Sequence, residues 1–214
     1  MGNILVFLNG NLSKFNISHP LLKNPDLIIC ADGGAELAQS AGFTPDVMIG
    51  DFDSLGVDLR KKLENNKKIT WHPYPSEKDF TDSQLALEFA LKQNPKEIVI
   101  LGVLGDRLDH FIANLNYLAI ICKSNDTKIT ILSDNQEARF FQSKTKFGGK
   151  PGDLVSLVPL DDNCRGVTTT GLQYELTDAN LPLGTTRGVS NVMETNIAEI
   201  SMTRGICLAI WTEV

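Results

Sequence analysis

Four cysteines are spread over 214 residues, at positions 30, 122, 164 and 207, and no two form a C-x-x-C pair. That spacing gives no support to a zinc ribbon or a dithiol redox motif. Cys30, Cys122, Cys164 and Cys207 read as small core residues with reduced thiols. No run of lysine and arginine is longer than the three residues Arg60 to Lys62, and the formal charge is −6. A general attraction to nucleic acid or anionic lipid is therefore unsupported. No stretch approaches the roughly 18–20 apolar residues of a membrane span. The apolar part of the amino-terminal MGNILVFLNGN is too short for a secretory signal and lacks a basic leader. A cytoplasmic protein without nucleic acid or membrane as partner is expected. The strings G-x-x-x-x-G-K-[ST], G-x-G-x-x-G after a strand and G-x-S-x-G are absent too, so neither a Walker loop, a dinucleotide fingerprint nor a serine-hydrolase elbow is indicated.

What is present is an ordinary globular balance, 42% hydrophobic and 21% charged, enough chain for one large domain or two smaller ones. Up to residue 134, apolar runs alternate with helical spacing. Strands are predicted over 3–8, 27–31, 47–49, 68–72, 98–102 and 128–133, and helices over 35–40, 58–64, 82–93 and 107–123. Near-continuous Ile, Val and Leu strands joined by helices predict a mainly parallel α/β sandwich. Beyond residue 134 helical spacing stops. Short strands over 138–143, 154–160, 166–170, 173–176, 197–202 and 206–211, set between Gly, Pro, Asn and Asp clusters, predict a small β-sandwich domain. The reading is thus α/β then all-β, over 1–134 and 135–214.

The unusual feature is where the aspartates fall. Ligands of open α/β sheets bind beyond the carboxyl ends of the strands. The run ending at Ala31 leads into Asp32-Gly33-Gly34, and the run ending at Ile49 into Gly50-Asp51-Phe52-Asp53. An extended 51–53 segment would put both carboxylates on one side and Phe52 toward the protein. A third stretch, SEKDFTDSQ over 76–84, enters a helix in which Thr81 and Gln84 match a capping box. Any one of these aspartates alone reads as a turn former or a helix-start residue. Together, carboxylates within about 4 Å would repel by roughly 4 kcal/mol per pair at an effective dielectric near 20. A divalent cation removes that conflict, and oxygen-only ligands suit Mg²⁺ beside substrate phosphates.

A fourth stretch, LGVLGDRLDH over 101–110, is a strand end, a glycine turn and a helix start. Leu108, Phe111, Ile112, Leu115, Leu118, Ala119 and Cys122 are expected to make the buried face of that helix, with Arg107, His110, Asn114 and Tyr117 on another. Arg107 at a helix amino terminus suits phosphate. His19 and His72 read as structural, and Phe140, Phe141 and both tryptophans as core.

Taken in order, CADGGA at 30–35, PD at 45–46 leading to IGDFDSL at 49–55, KDFTD at 78–82 and GDRLDH at 105–110 resemble thiamine pyrophosphokinase. TGLQYEL at 170–176 and GVSN at 188–191 are similar to that family's carboxyl-terminal thiamine-binding part. The resemblance spans nearly the whole chain. It implies ATP and thiamine as substrates, thiamine diphosphate and AMP as products, Mg²⁺, and a homodimer with active sites between subunits. Carried over by motif, Asp32, Asp51, Asp53 and Asp82 would hold the metal. Asp51, Asp53, Asp79, Asp82 and Arg107 would be catalytic. Gly33, Gly34, Lys78, Thr81, Arg107, Asp109 and His110 would meet the nucleotide and phosphates, and Ser190 and Asn191 the thiamine. Two positions depart from the family's pattern: Asp106 stands where a glycine is usual, and Val192 where a glutamate is frequent. Another metal-dependent nucleotide transferase would leave 188–191 without a role. A non-catalytic nucleotide or thiamine sensor is told apart by turnover.

Overall fold

The structure, a computed structural model, describes residues 1–12 and 17–214. By internal contacts the chain divides into two compact units, residues 1–115 with 131–134, and residues 116–130 with 135–214.

In the first unit, β1 (Asn3–Phe7), β2 (Leu27–Ala31), β3 (Val47–Gly50), β4 (Thr70–Pro73) and β5 (Glu97–Leu101) form a parallel sheet in the order β5-β1-β2-β3-β4. β1, β3 and β5 are buried along nearly their whole length, as strands covered on both faces must be. On one face Leu5, Phe7, Cys30 and Met48 share a core with Ala35 and Ala38 of α1 (Gly34–Ser40) and Leu63 of α2 (Val57–Glu64). Ile4, Val6 and Ile29 alternate to the other face. α3 (Asp82–Lys92) packs on β1, β2 and β3 and buries Ala86, Leu87 and Ala90. Thr81 Oγ1 accepts the Gln84 N–H at 3.2 Å. Gln84's own amide goes to Glu88 at 2.9 Å, so the expected capping box is half formed.

α4 (Leu108–Ser124) and β6 (Lys128–Leu132) lie where the contact division falls. The expected buried face of α4 needs correction. Leu108 is 70% and Ile112 47% exposed, whereas Asn114, Leu118, Ile121 and Cys122 are buried. Apolar residues occur nearly all round this helix, so its periodicity does not select one face.

The second unit is a β-sandwich. β7 (Gln136–Phe141), β14 (Cys207–Thr212), β9 (Leu154–Pro159) and β12 (Asn191–Val192) pair antiparallel in that order. A second sheet runs β8 (Lys144–Gly148), β13 (Ile197–Ser201), β10 (Asn163–Thr170), β11 (Ala179–Pro182). Phe141, Val155, Leu157 and Ala209 of the first meet Phe147, Val167, Leu181 and Ile200 of the second in one core. The strand expected over 173–176 is not formed; those residues are a bent loop beside a single bridge between Leu172 and Met193. β8 escapes sequence detection because Lys144, Thr145 and Lys146 leave only Phe147 buried. All four cysteines are buried and free, and burial pushes the Cys122 thiol up to about 11. Among the described residues, no helix is long and apolar enough to cross a membrane.

Candidate active site

Because the strands of the first unit are parallel, their carboxyl ends share one rim. It receives Asn9 to Asn11 after β1, Asp32 after β2, Asp51 and Asp53 after β3, the 74–81 loop after β4 and the 102–107 loop after β5. The chain turns one way from β1 to β2 and the other way to reach β5, so the topological switch point lies between the β1 and β5 loops. Those loops interlock: Asn11 N–H donates to Leu104 O at 2.6 Å, and Asn11 Nδ2 to Asp106 Oδ1 at 2.9 Å. A side chain at Gly10 would collide with the carbonyls of Gly102 and Leu104. Asp106, one of the two departures noted above, is thus the residue that Asn11 holds.

Asp32, Asp51 and Asp53 each offer a carboxylate oxygen, all within 4.8 Å of one another. The backbone reaches this by another route than extension. Phe52 has φ 63°, and Asp53 N–H folds back to Asp51 Oδ1 at 3.2 Å. Phe52 is still turned inward, buried edge-on against Trp71 with ring centroids 4.8 Å apart. Asp82 comes from the first turn of α3. A Cβ on Gly50 would stand 3.1 Å from Asp82 Oδ1 and 3.3 Å from Asp32 Cβ. With φ 140° at Gly50 as well, only glycine lets β3 end between these two aspartates.

The donors fit a hard cation. Oδ1 of Asp32 and Oδ1 of Asp82 are buried and take no hydrogen bond among the described residues, an arrangement that costs about 1–3 kcal/mol or more per atom if nothing else satisfies it. Lys78 Nζ stands 3.1 Å from Asp82 Oδ1. The pair is an ion contact without a hydrogen bond at that oxygen, and the ammonium donates to Pro75 O at 3.0 Å. An all-oxygen carboxylate set with unspent lone pairs suits Mg²⁺ better than a softer metal.

Electrostatics separates the pair in the D-F-D segment. The Asp53 N–H, and next the Ser76 side chain, hold Asp51 below the usual carboxylate range. Asp53 is pushed up, chiefly by the negative charge of Asp51. Ser54 holds Asp32 in place. Its Oγ accepts from Gly33 N at 3.2 Å and from Asn9 Nδ2 at 3.2 Å, and donates to Asp32 Oδ2.

The remaining residues of the rim are less converged. Asp79 and Thr81 are exposed in the loop before α3, and Asp79 is not one of the three clustered carboxylates. Gly33 and Gly34 begin α1, where a side chain at Gly34 would strike Phe7 O. Arg107 forks onto its neighbour Asp109, Nε to Oδ1 at 3.2 Å and Nη2 to Oδ2 at 2.5 Å. That pairing lowers the Asp109 carboxyl and raises the guanidinium. His110 is exposed in the first turn of α4.

In the second unit a cavity of about 350 Å³ is lined by Leu157, Tyr174, Glu175, Leu176, Ser190 and Asn191, among others. Ser190 sits at φ 60° with its N–H on Ser156 Oγ at 3.0 Å. Asn191 turns its amide toward the backbone of Tyr174.

Sequence reasoning missed Asn9, Ser54, Glu175 and Arg187, which also lines this cavity. Asn9 was within reach, since it stands at a strand end on the rim that the topology selects.

Residues 18–131 match the family model described as thiamin pyrophosphokinase, catalytic domain, and residues 142–207 match its vitamin B1 binding domain. The chain belongs to the thiamin pyrophosphokinase family. It is similar to the thiamine pyrophosphokinase of Bacillus subtilis (strain 168), with 31% identity over 194 residues, 86% of either chain. The crystal structure of thiamine pyrophosphokinase from Bacillus subtilis superposes with TM-score 0.88 at 26% identity, covering 99% of both chains. That of thiamin pyrophosphokinase from Geobacillus thermodenitrificans gives 0.82 at 25% identity, covering 100% of this chain and 98% of the other. The catalytic-domain match of the thiamin pyrophosphokinase family includes every aspartate of the rim cluster, and its vitamin B1 binding match includes the whole lining of the cavity.

Proposed function

We propose that this chain transfers the diphosphate of ATP to the primary hydroxyl of thiamine, giving thiamine diphosphate and AMP, and that it works with Mg²⁺ as a cytoplasmic homodimer. The observation that carries the reading is the convergence of Asp32, Asp51 and Asp53 at the sheet rim, with a buried oxygen of Asp32 that takes no hydrogen bond among the described residues, inside the stretch matched as a thiamin pyrophosphokinase catalytic domain.

Asp32, Asp51, Asp53 and Asp82 would hold the cation. Bound there, Mg²⁺ supplies counter-charge to the phosphate chain and to the transferring group, the main requirement of such transfers. The thiamine oxygen forms a bond to the β-phosphorus as the bond from that phosphorus to the α,β-bridging oxygen breaks, and AMP leaves with that oxygen. The hydroxyl proton goes to Asp79, an exposed carboxylate of this rim outside the three-membered cluster, or to another carboxylate of the cluster. Arg107, with three N–H donors beyond the two that Asp109 accepts, has the fork to meet phosphate oxygens.

Incubation of the pure protein with Mg²⁺, ATP and thiamine, with products identified by mass spectrometry, tests the reading. Thiamine diphosphate with AMP is expected. Thiamine monophosphate with ADP, or no turnover, would refute it. The homodimer is supported by the exposed apolar residues Leu104, Leu108 and Ile112, surface that a second copy would cover. Light scattering at a monomer mass would refute that part.

A further inference from the structure

Asn191 has most of its side-chain hydrogen-bonding capacity committed to the protein's own backbone. Residues 171–174 lie alongside 191–194 as an irregular continuation of antiparallel pairing. Glu194 N–H donates to Gly171 O at 3.0 Å, Leu172 bridges Met193, and Gln173 N–H donates to Val192 O at 2.8 Å. At the next step the Asn191 side chain replaces backbone. Its Oδ1 accepts the Tyr174 N–H at 3.0 Å while its Nδ2 donates to Tyr174 O at 2.8 Å, and Oδ1 also takes the Val192 N–H at 3.0 Å. A carboxamide has two donors and two acceptor sites, and three of the four are used.

The loop so held has a defined shape. Glu175 closes it by accepting the Gly171 N–H at 2.9 Å, and Leu176 is tied down by Thr169 Oγ1 at 2.8 Å. Tyr174 lies between these anchors, 67% exposed and on the lining of the cavity. An exposed aromatic ring on a cavity wall suits a flat, positively charged heteroaromatic ligand, which is drawn to the face of the ring.

We infer that Asn191 is a positioning residue, which clamps the backbone of Tyr174 so that the tyrosine ring forms one wall of the site for a flat cationic heterocycle. The inference rests on the proposed function in taking thiamine as that ligand. Asn191 acts through Tyr174, so its removal and the removal of the ring should not add.

The test uses the full chain with Asn191→Ala, Tyr174→Ala, the double variant and Asn191→Asp, reading the KM for thiamine, the KM for ATP, calorimetric thiamine binding, and hydrogen exchange at the Tyr174 amide. Asn191→Ala and Tyr174→Ala should each raise the thiamine KM by about tenfold, and the double variant should be no worse than Tyr174→Ala alone. The KM for ATP should stay within about twofold, and the Tyr174 amide should exchange faster in Asn191→Ala. Asn191→Asp should resemble Asn191→Ala, because a carboxylate can accept from Tyr174 N–H but faces Tyr174 O with no donor. Multiplying losses in the double variant, or unchanged Tyr174 exchange, would overturn the inference while leaving the function in place. A wild-type protein that neither binds nor turns over thiamine would overturn both.

Discussion

Ser54 donates its hydroxyl hydrogen to Asp32. The direction is forced, because the serine oxygen already accepts from the Gly33 N–H and the Asn9 amide, and its own hydrogen has the carboxylate left as acceptor. Oδ2 of Asp32 is thereby tied back, and Oδ1 is the oxygen left unpartnered. Ser54→Ala should weaken divalent-cation binding about 10–100-fold, the usual cost of removing an outer partner of a ligand, with Ser54→Thr retaining most of it. Titration with Mn²⁺ followed by electron paramagnetic resonance gives the affinity directly; equal affinity in Ser54→Ala would show that Asp32 orients itself.

Asp51→Asn should separate stability from activity. The substitution removes one of three negative charges that share a space of 4.8 Å. In chelator, thermal melting should therefore stay level or rise. Turnover should fall by more than the roughly hundredfold typical of an outer-shell change. A variant that melts far below the parent would instead make Asp51 a structural residue.

Gly50→Ala should be costly for two reasons at once: the φ of 140° and the approach to Asp82 and Asp32. A loss of about 1–3 kcal/mol is expected for a residue forced into such a conformation, which for a chain of this size lowers the melting temperature by about 2–4 °C per kcal/mol. Melting of Gly50→Ala at the parent temperature would contradict the packing described around β3.

Asp153 carries a pH dependence in the second unit. Burial works against its charge but is outweighed by the N–H groups of Lys150 at 2.9 Å, Val214 at 3.3 Å and Trp211 at 3.1 Å, and the carboxyl is held below its ordinary range. A group lowered on folding stabilises fully above its unfolded value, about 3.9, and loses that contribution as pH falls through the lower folded one. Asp153→Asn should cost about 1–3 kcal/mol at neutral pH, since an amide nitrogen must face donors or an acceptor must be lost. Denaturant titrations from pH 7 down to about 2 should show the gap between parent and variant closing in the acid limb. A gap constant across that range would deny the carboxylate its role.

Much of this was legible in the sequence, for identifiable reasons. The parallel sheet could be read from β1, β3 and β5 because strands buried on both faces are continuous apolar runs. The acidic rim could be read because aspartates directly follow the apolar runs of β2 and β3. Local patterns said less about α4, where apolar residues nearly all round left Leu108 and Ile112 outside, and about β8, where one buried phenylalanine is no alternation. Ser54 and Asn191 lay in recognisable segments. Their partners, Asp32 and Tyr174, are 22 and 17 residues away, and only the fold states such pairings. The conformation of Phe52 could not be read either, because alternation assumes extension and the Asp53 N–H bends the segment.

The ammonium of Lys78 is 3.1 Å from Asp82, on a side chain only 12% exposed. Four carboxylates therefore meet with one counter-ion already built into the chain, and three of them have protein donors: Ser54 for Asp32, the Asp53 N–H for Asp51, and the Ser54 N–H for Asp53. Part of the mutual repulsion of this rim is thus offset from within the polypeptide, by an ammonium that the chain itself supplies.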